Sequence, residues 1–156
     1  YLRGEKGMWK ESQEARTSPE EITQFMEGNK LILAYSGDNL EDPVASVFFT
    51  SSEFGDKKQG ELGMLAAKLD FTGKGVGRQL ISKCEERAKE EGCHSVQLEL
   101  LQPSEWEHPT KAILHQWYSE RLGYKMGKEG DFAQDYPQMV PFLAGPTKFT
   151  EYVKQL

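Results

Sequence analysis

The sequence predicts an α+β fold, a mixed and mostly antiparallel sheet flanked by helices. Two observations carry that prediction. Short apolar runs bounded by turn residues, Leu31–Tyr35, Val44–Thr50, Gly60–Ala67 and Ser95–Leu101, read as strands. Between and after them lie stretches whose apolar residues recur at helical spacing, with 76–92 the clearest case. The resulting order is helix, three antiparallel strands, helix, strand, helix, strand, strand.

Each element has a local reason. Ser18-Pro19-Glu20-Glu21 is a capping box with proline at the first helical position, so a helix runs from 19 to 27, where Gly28 stops it. Leu31–Tyr35 and Val44–Thr50 form an antiparallel hairpin across the turn-rich Gly37-Asp38-Asn39-Leu40-Glu41-Asp42-Pro43. The polar stretch Ser51–Gln59 reads as a second hairpin loop, leading into Gly60–Ala67. Val76, Leu80, Ile81, Cys84 and Ala88 make one apolar stripe on the next helix, and Gly92 caps its end. Pro109–Leu122 is expected as a helix with Ile113, Leu114 and Trp117 on its apolar face. Tyr124–Phe132 and Lys148–Val153 are the last strands, with Pro137–Pro146 as a loop between them.

Bulk properties narrow the function. The 156 residues contain no repeat, low-complexity tract or linker, so 1–156 reads as a single domain with one core. A chain 37% hydrophobic and 28% charged has the composition of a soluble globular protein. No apolar run nears the roughly 18 residues of a membrane helix, and no signal peptide is read, although the chain starts at Tyr1 rather than Met. A formal charge of −6 argues against nucleic acid and favours a cationic substrate such as an amine. Cys84 and Cys93 are too few for a disulfide scaffold and point to a reducing, cytoplasmic setting. His94, His108 and His115 have no metal-ligand spacing with one another or with the cysteines, so no metal is expected.

The most informative segment is Thr72-Gly73-Lys74-Gly75-Val76-Gly77-Arg78, between an apolar strand and an amphipathic helix. Glycine tolerates positive φ and admits a ligand close to the backbone. Backbone N–H groups at a helix start, with the helix dipole, favour an anion such as a pyrophosphate. A Walker loop needs Ser or Thr after Gly-Lys, and here Gly75 follows Lys74. A dinucleotide fingerprint needs a third glycine where Arg78 stands, and its loop starts directly after the strand.

A third pattern fits better. The segment resembles the acetyl-CoA loop of the general N-acetyltransferase (GNAT) superfamily, Gln/Arg-x-x-Gly-x-Gly/Ala, aligned on Gly75 and Gly77 with Thr72 where Gln or Arg is usual. Glu61-Leu62-Gly63-Met64-Leu65-Ala66-Ala67 before it also agrees. Trp117-Tyr118-Ser119-Glu120-Arg121-Leu122-Gly123-Tyr124 is similar to the superfamily's Leu-Tyr-Glu-Lys-Leu-Gly-Phe signature. The resemblance covers roughly residues 60 to 126. It implies the acyl-CoA N-acyltransferase fold, with no counterpart here for the family's first strand. Tyr1-Leu2-Arg3-Gly4 through Trp9-Lys10-Glu11 would be the tail of its first helical region.

The resemblance also implies a chemistry, residue by residue. Acetyl-CoA is the co-substrate, and its pantetheine pairs with the backbone of Leu65, Ala66 and Ala67 like an added strand. A backbone N–H of Leu65 or Ala66 donates to the thioester carbonyl. The loop Thr72, Gly73, Lys74, Gly75, Val76, Gly77 and Arg78 holds the pyrophosphate, with Lys74 and Arg78 adding positive charge. Tyr118 protonates the departing thiolate, and a phenol is a plausible acid for that task. Tyr124 is a core aromatic. Glu61 is a candidate base acting through water, or a solvated carboxylate at a strand start. Glu99 is a second candidate, since a charge inside an apolar strand needs a partner. Glu105, Glu107 and His108 line an acceptor cleft or are ordinary loop polars. Trp9, Glu11, Arg16 and Thr17 fall where the family's variable first helices wall the substrate site.

The expected activity is acetyl transfer from acetyl-CoA to a primary amine, of a small molecule or a peptide, by direct attack. Two alternatives stay open: transfer of another acyl group, and a non-catalytic CoA-binding domain that kept the loop without the chemistry.

Overall fold

The computed structural model describes residues 4–10, 17–38 and 40–156. They divide into two compact units, one of Thr17–Gln97 with Gln155–Leu156, the other of Leu98–Lys154 with the described residues before Thr17.

In the first unit the local signals act as expected. Helix α1, Pro19–Glu27, starts at its capping residue: the Ser18 hydroxyl accepts from the Glu21 N–H at 3.1 Å. The Glu21 carboxylate in turn accepts from the Thr17 hydroxyl. Strands β1 (Leu31–Ala34), β2 (Ala45–Phe54) and β3 (Lys57–Ala67) pair antiparallel in that order. The start of β4 (Ser95–Pro103) runs parallel to β3, from Gln59↔Ser95 to Glu61↔Gln97. Ser51–Gln59 is not the long loop its polarity suggests. Both strands run on, and the chain turns at Gly55, φ 61°. A ribbon paired through Ser52↔Gln59 and Glu53↔Lys58 satisfies its backbone without burying a face, so polar residues serve it well.

Helix α2, Val76–Glu90, buries Leu80, Ile81, Cys84 and Ala88 of the stripe read from the sequence and leaves Val76, in its first turn, half-buried. It packs on β2 and β3, in which Val47, Phe49 and Leu62 are at most 3% exposed. Gly60 permits this close approach, because a Cβ there would lie 3.0 Å from Phe49 Cε2 and 3.3 Å from Ala88 Cβ. The helix's far end is tied down by Glu91, whose carboxylate accepts from Ser51 Oγ at 2.6 Å and Arg87 Nε at 2.8 Å.

In the second unit the strand order is β4-β6-β5, with β5 (Lys125–Asp131) antiparallel to β6 (Thr147–Gln155). Met8, Leu101, Phe132, Leu143 and Phe149 form its core cluster. Helix α3, Pro109–Gln116, widens at its end into a π turn, Trp117–Arg121. Leu122 N–H closes that turn on the Trp117 carbonyl at 3.1 Å. The stripe expected on this helix is therefore corrected. Ile113 is 66% exposed, while Lys111 and Tyr118 are buried, because a basic residue has been drawn inward by an acidic partner.

Three further differences are local. Phe132 leaves the strand to open a short helix, α4 (Phe132–Asp135), whose first turn is capped by Asp131 accepting from Ala133 N–H at 2.9 Å. Pro137–Phe142 forms a 3₁₀ turn inside the expected loop. Gly4–Met8 is a run of turns and Trp9 bridges to Leu143, so that stretch is not a helical tail. Tyr1–Arg3 and Glu11 lie outside the described residues. No helix among the described residues is long and apolar enough to cross a membrane.

Candidate active site

The first unit brings together every residue expected to hold the cofactor. Opposite the single residue Val47, β3 carries both Met64 and Leu65, a bulge that takes Met64 to φ 51°. A left-handed φ at a methionine costs on the order of 1 kcal/mol, and bulges of this kind re-aim the next stretch of strand. That stretch is Leu65-Ala66-Ala67, half-buried at Leu65 and exposed at the alanines. Here β3 runs on past its last pair with β4, Glu61↔Gln97. A 3₁₀ turn, Leu69–Phe71, then delivers the chain to the glycine loop.

Gly73 has φ 77° and Gly75 has φ 84°, and Gly75 is the N-cap of α2. A Cβ at either would meet nothing within 4 Å, so the backbone conformation requires glycine and the space ahead of the helix is open. No side chain caps α2. Its first-turn N–H groups, at Val76, Gly77 and Arg78, therefore point into that space with the positive end of the helix dipole behind them. The Lys74 ammonium lies 5.5 Å from the Phe71 ring centroid, and Arg78 is exposed. Thr72 turns its hydroxyl back onto the Lys68 carbonyl at 3.4 Å, a contact that stiffens the loop from within.

The two candidate catalytic residues fall in different units. Glu61 is exposed in β3, opposite Thr50 and Gln97, both polar. Tyr118 sits in the π turn, 7% exposed, with its ring 5.3 Å from Trp117 and 5.5 Å from Tyr152. Burial, and then the Tyr152 phenol, push the Tyr118 pKa above the ordinary tyrosine value, so the hydroxyl stays protonated. Tyr152 is fully buried and its hydroxyl is hydrogen-bonded to Nδ1 of His115. Tyr124 is core, 2% exposed.

The remaining candidates separate. Glu99 is exposed in β4, where water can solvate its charge, and it accepts from the Tyr136 hydroxyl at 3.0 Å. Glu105 and Glu107 are exposed, whereas His108 is buried and caps α3, its Nδ1 accepting from Thr110 N–H at 3.2 Å. Thr17 spends its hydroxyl on Glu21, and Arg16, like Glu11, lies outside the described residues. Burial pushes the Cys84 thiol up to about 12 and raises that of Cys93, which keeps both from acting as nucleophiles. Among the described residues no three His, Cys, Asp or Glu gather as a metal site.

A feature without any sequence signal lies beside His108. Glu5, 7% exposed, receives Lys111 Nζ at 3.0 Å on one carboxylate oxygen and Trp9 Nε1 at 2.7 Å on the other. The ion pair joins positions 106 apart, and no periodicity announces it. Against it opens a cavity of about 230 Å³ lined by Gln102, Trp106, Glu107, His108, Lys111 and His115.

This architecture has known relatives. The family model described as acetyltransferase (GNAT) family matches residues 4–124. A GNAT family acetyltransferase from Elizabethkingia anophelis, solved with acetyl-CoA bound, is similar at a TM-score of 0.60 and 18% identity over 92% of this chain and 87% of its own. An aminoglycoside 6'-N-acetyltransferase complexed with coenzyme A gives 0.64 and 16% over 92% and 82%. The NatC complex bound to Gag peptide and CoA gives 0.63 and 16% over 90% and 80%. At such identities these likenesses establish the fold. No curated protein matches the sequence. With most of its length matched by the family model, and with the fold to go with it, the chain belongs to the acetyltransferase (GNAT) family.

Proposed function

We propose that this protein transfers an acetyl group from acetyl-CoA to a primary amine by direct attack, and that 1–156 works as one N-acetyltransferase domain. The family match over 4–124 includes residues of both compact units, which supports the single-domain reading. One observation carries the cofactor assignment. A helix of 15 residues without a side-chain N-cap opens behind two glycines at positive φ, after a bulged strand and a 3₁₀ turn. Several N–H groups without side-chain caps, a helix dipole and open space make a receptor for a pyrophosphate.

In this reading the backbone of Leu65, Ala66 and Ala67 pairs with pantetheine, and an N–H of Leu65 or Ala66 polarises the thioester carbonyl. Thr72 through Arg78 hold the pyrophosphate. The deprotonated amine attacks the acetyl carbon, a C–N bond forms, and the C–S bond breaks. The CoA thiolate takes its proton from the Tyr118 hydroxyl, the nitrogen of the new amide gives one through water to Glu61, and exchange with solvent then reprotonates Tyr118 and deprotonates Glu61. Burial holds the Tyr118 phenol in its protonated form, so the hydroxyl carries a proton when the thiolate forms. The acceptor is a small-molecule or peptide amine, and the net charge of −6 favours a cation approaching the protein. Two buried, unpaired thiols fit a reducing cytoplasm.

The test is a calorimetric titration with acetyl-CoA, CoA and NAD. The expected result is binding of the CoA species alone, with amine-dependent thiol release when an acceptor is added. Binding of NAD, or of no nucleotide, would remove the pyrophosphate cradle and the transferase with it. Binding of CoA without turnover on any amine would favour the non-catalytic domain.

A further inference from the structure

The cavity beside α3 contains a polar group whose partner is missing. His108 is 6% exposed, and its Nδ1 is occupied by the Thr110 N–H. With Nδ1 accepting, the neutral ring carries its proton on Nε2, which is then a donor. No described residue accepts it. Among the described residues the one sealed side-chain polar atom without a partner is Thr147 Oγ1, so His108 Nε2 reaches open space, and the space that His108 lines is this cavity. A donor nine-tenths buried is costly to leave unmatched, and its natural complement is an oxygen acceptor on a ligand.

The neighbours say which oxygen. Lys111, 5% exposed, is held by Glu5 at 3.0 Å and lines the same cavity. The pair is neutral overall and stands as a fixed dipole beside the histidine donor, whose strongest complement is a charged oxygen. The histidine donor and Lys111 lie on the buried wall, whereas Glu107 and Trp106 are exposed. That arrangement suits a zwitterion, its carboxylate inward, its ammonium towards Glu107 and an apolar body on the indole. The cavity also adjoins the support of the candidate acid, because His115 lines it and bonds Tyr152, whose ring packs on Tyr118.

We propose that this cavity binds the carboxylate of an amino-acid-like acyl acceptor through His108 Nε2–H, beside the Lys111–Glu5 pair. The assignment of that ligand as acceptor rests on the acetyltransferase reading; the carboxylate site itself does not. Titration of the CoA-loaded protein with phenylalanine and with phenethylamine isolates the carboxylate, since the two differ in nothing else. Phenylalanine should bind at least tenfold more tightly. His108→Asn keeps a helix-capping side chain while withdrawing the imidazole donor, and it should bring the two ligands to within about twofold. Equal binding of both in the wild type, binding of neither, or an unchanged preference in a folded H108N would overturn the site. Acetylation assayed in parallel separates the two claims. Selective phenylalanine binding without acetyl transfer to any amine would keep the site and sink the transferase reading.

Discussion

The loop before α2 and the pocket beside α3 solve the same problem, recognition of a polar ligand, with opposite means. At the loop the recognising groups are backbone N–H donors, and the side chains are mostly absent: two glycines at φ 77° and 84° and no capping residue. At the pocket the recognising groups are side chains held by other side chains, Glu5 on Lys111 and Trp9, and Tyr152 on His115. Backbone recognition needs only a conformation, and a conformation leaves its mark as glycine. Side-chain recognition needs partners distant in the chain, which a linear pattern does not reveal.

The largest effect should come from breaking the pocket's support. Glu5→Gln leaves the Lys111 ammonium buried beside a neutral amide and should cost about 3–5 kcal/mol, read as a fall in urea midpoint. The double change Glu5→Gln with Lys111→Met removes the stranded charge, and a recovery of much of that loss would show that pairing, not burial, was at issue. No recovery would mean that the pair contributes little.

Glycines sharpen the contrast next. Gly60→Ala pushes a methyl to 3.0 Å from the Phe49 ring and 3.3 Å from Ala88, so it should destabilise by about 1–3 kcal/mol. Gly75→Ala meets no neighbour and should lose only about 1 kcal/mol for its left-handed φ, while weakening acetyl-CoA binding more than Gly60→Ala does. Paired melts and titrations of the two variants decide it, and a reversed order in the titrations would contradict a backbone cradle. Thr72→Ala should change acetyl-CoA affinity by less than about threefold, since its hydroxyl is turned to Lys68.

The smallest effect is electrostatic. The Ser51 hydroxyl and then Arg87 hold the Glu91 carboxyl below the ordinary glutamate range. A depressed folded pKa stabilises above the unfolded value, about 4.3, and that gain is lost as pH falls through the folded value. Glu91→Gln should therefore lower Tm slightly at pH 7, with the gap to wild type closing on acidification. A gap that widens in acid would reverse the sign.

These contrasts also explain what the sequence disclosed. Ser18-Pro19-Glu20-Glu21 announced α1, the stripe Leu80, Ile81, Cys84, Ala88 announced the buried face of α2, and both are local facts. The β2–β3 extension was hidden because a paired ribbon of Ser, Gln, Glu and Lys has the composition of a loop. Ile113 is read from its spacing as buried and is exposed, whereas Lys111 is buried; the acid that draws Lys111 inward sits at position 5. Sequence leaves His108 as a residue of an acceptor cleft or a loop polar, and its value lies in which nitrogen the Thr110 N–H leaves open.

Acid-assisted acetyl transfer stands or falls with the Tyr118 hydroxyl, which Tyr118→Phe removes. Amine-dependent release of CoA thiol should fall by about 100-fold or more, while acetyl-CoA affinity measured by calorimetry stays within about twofold. Turnover undiminished in the phenylalanine variant would contradict the account, because the proton for the leaving thiolate would then come from elsewhere.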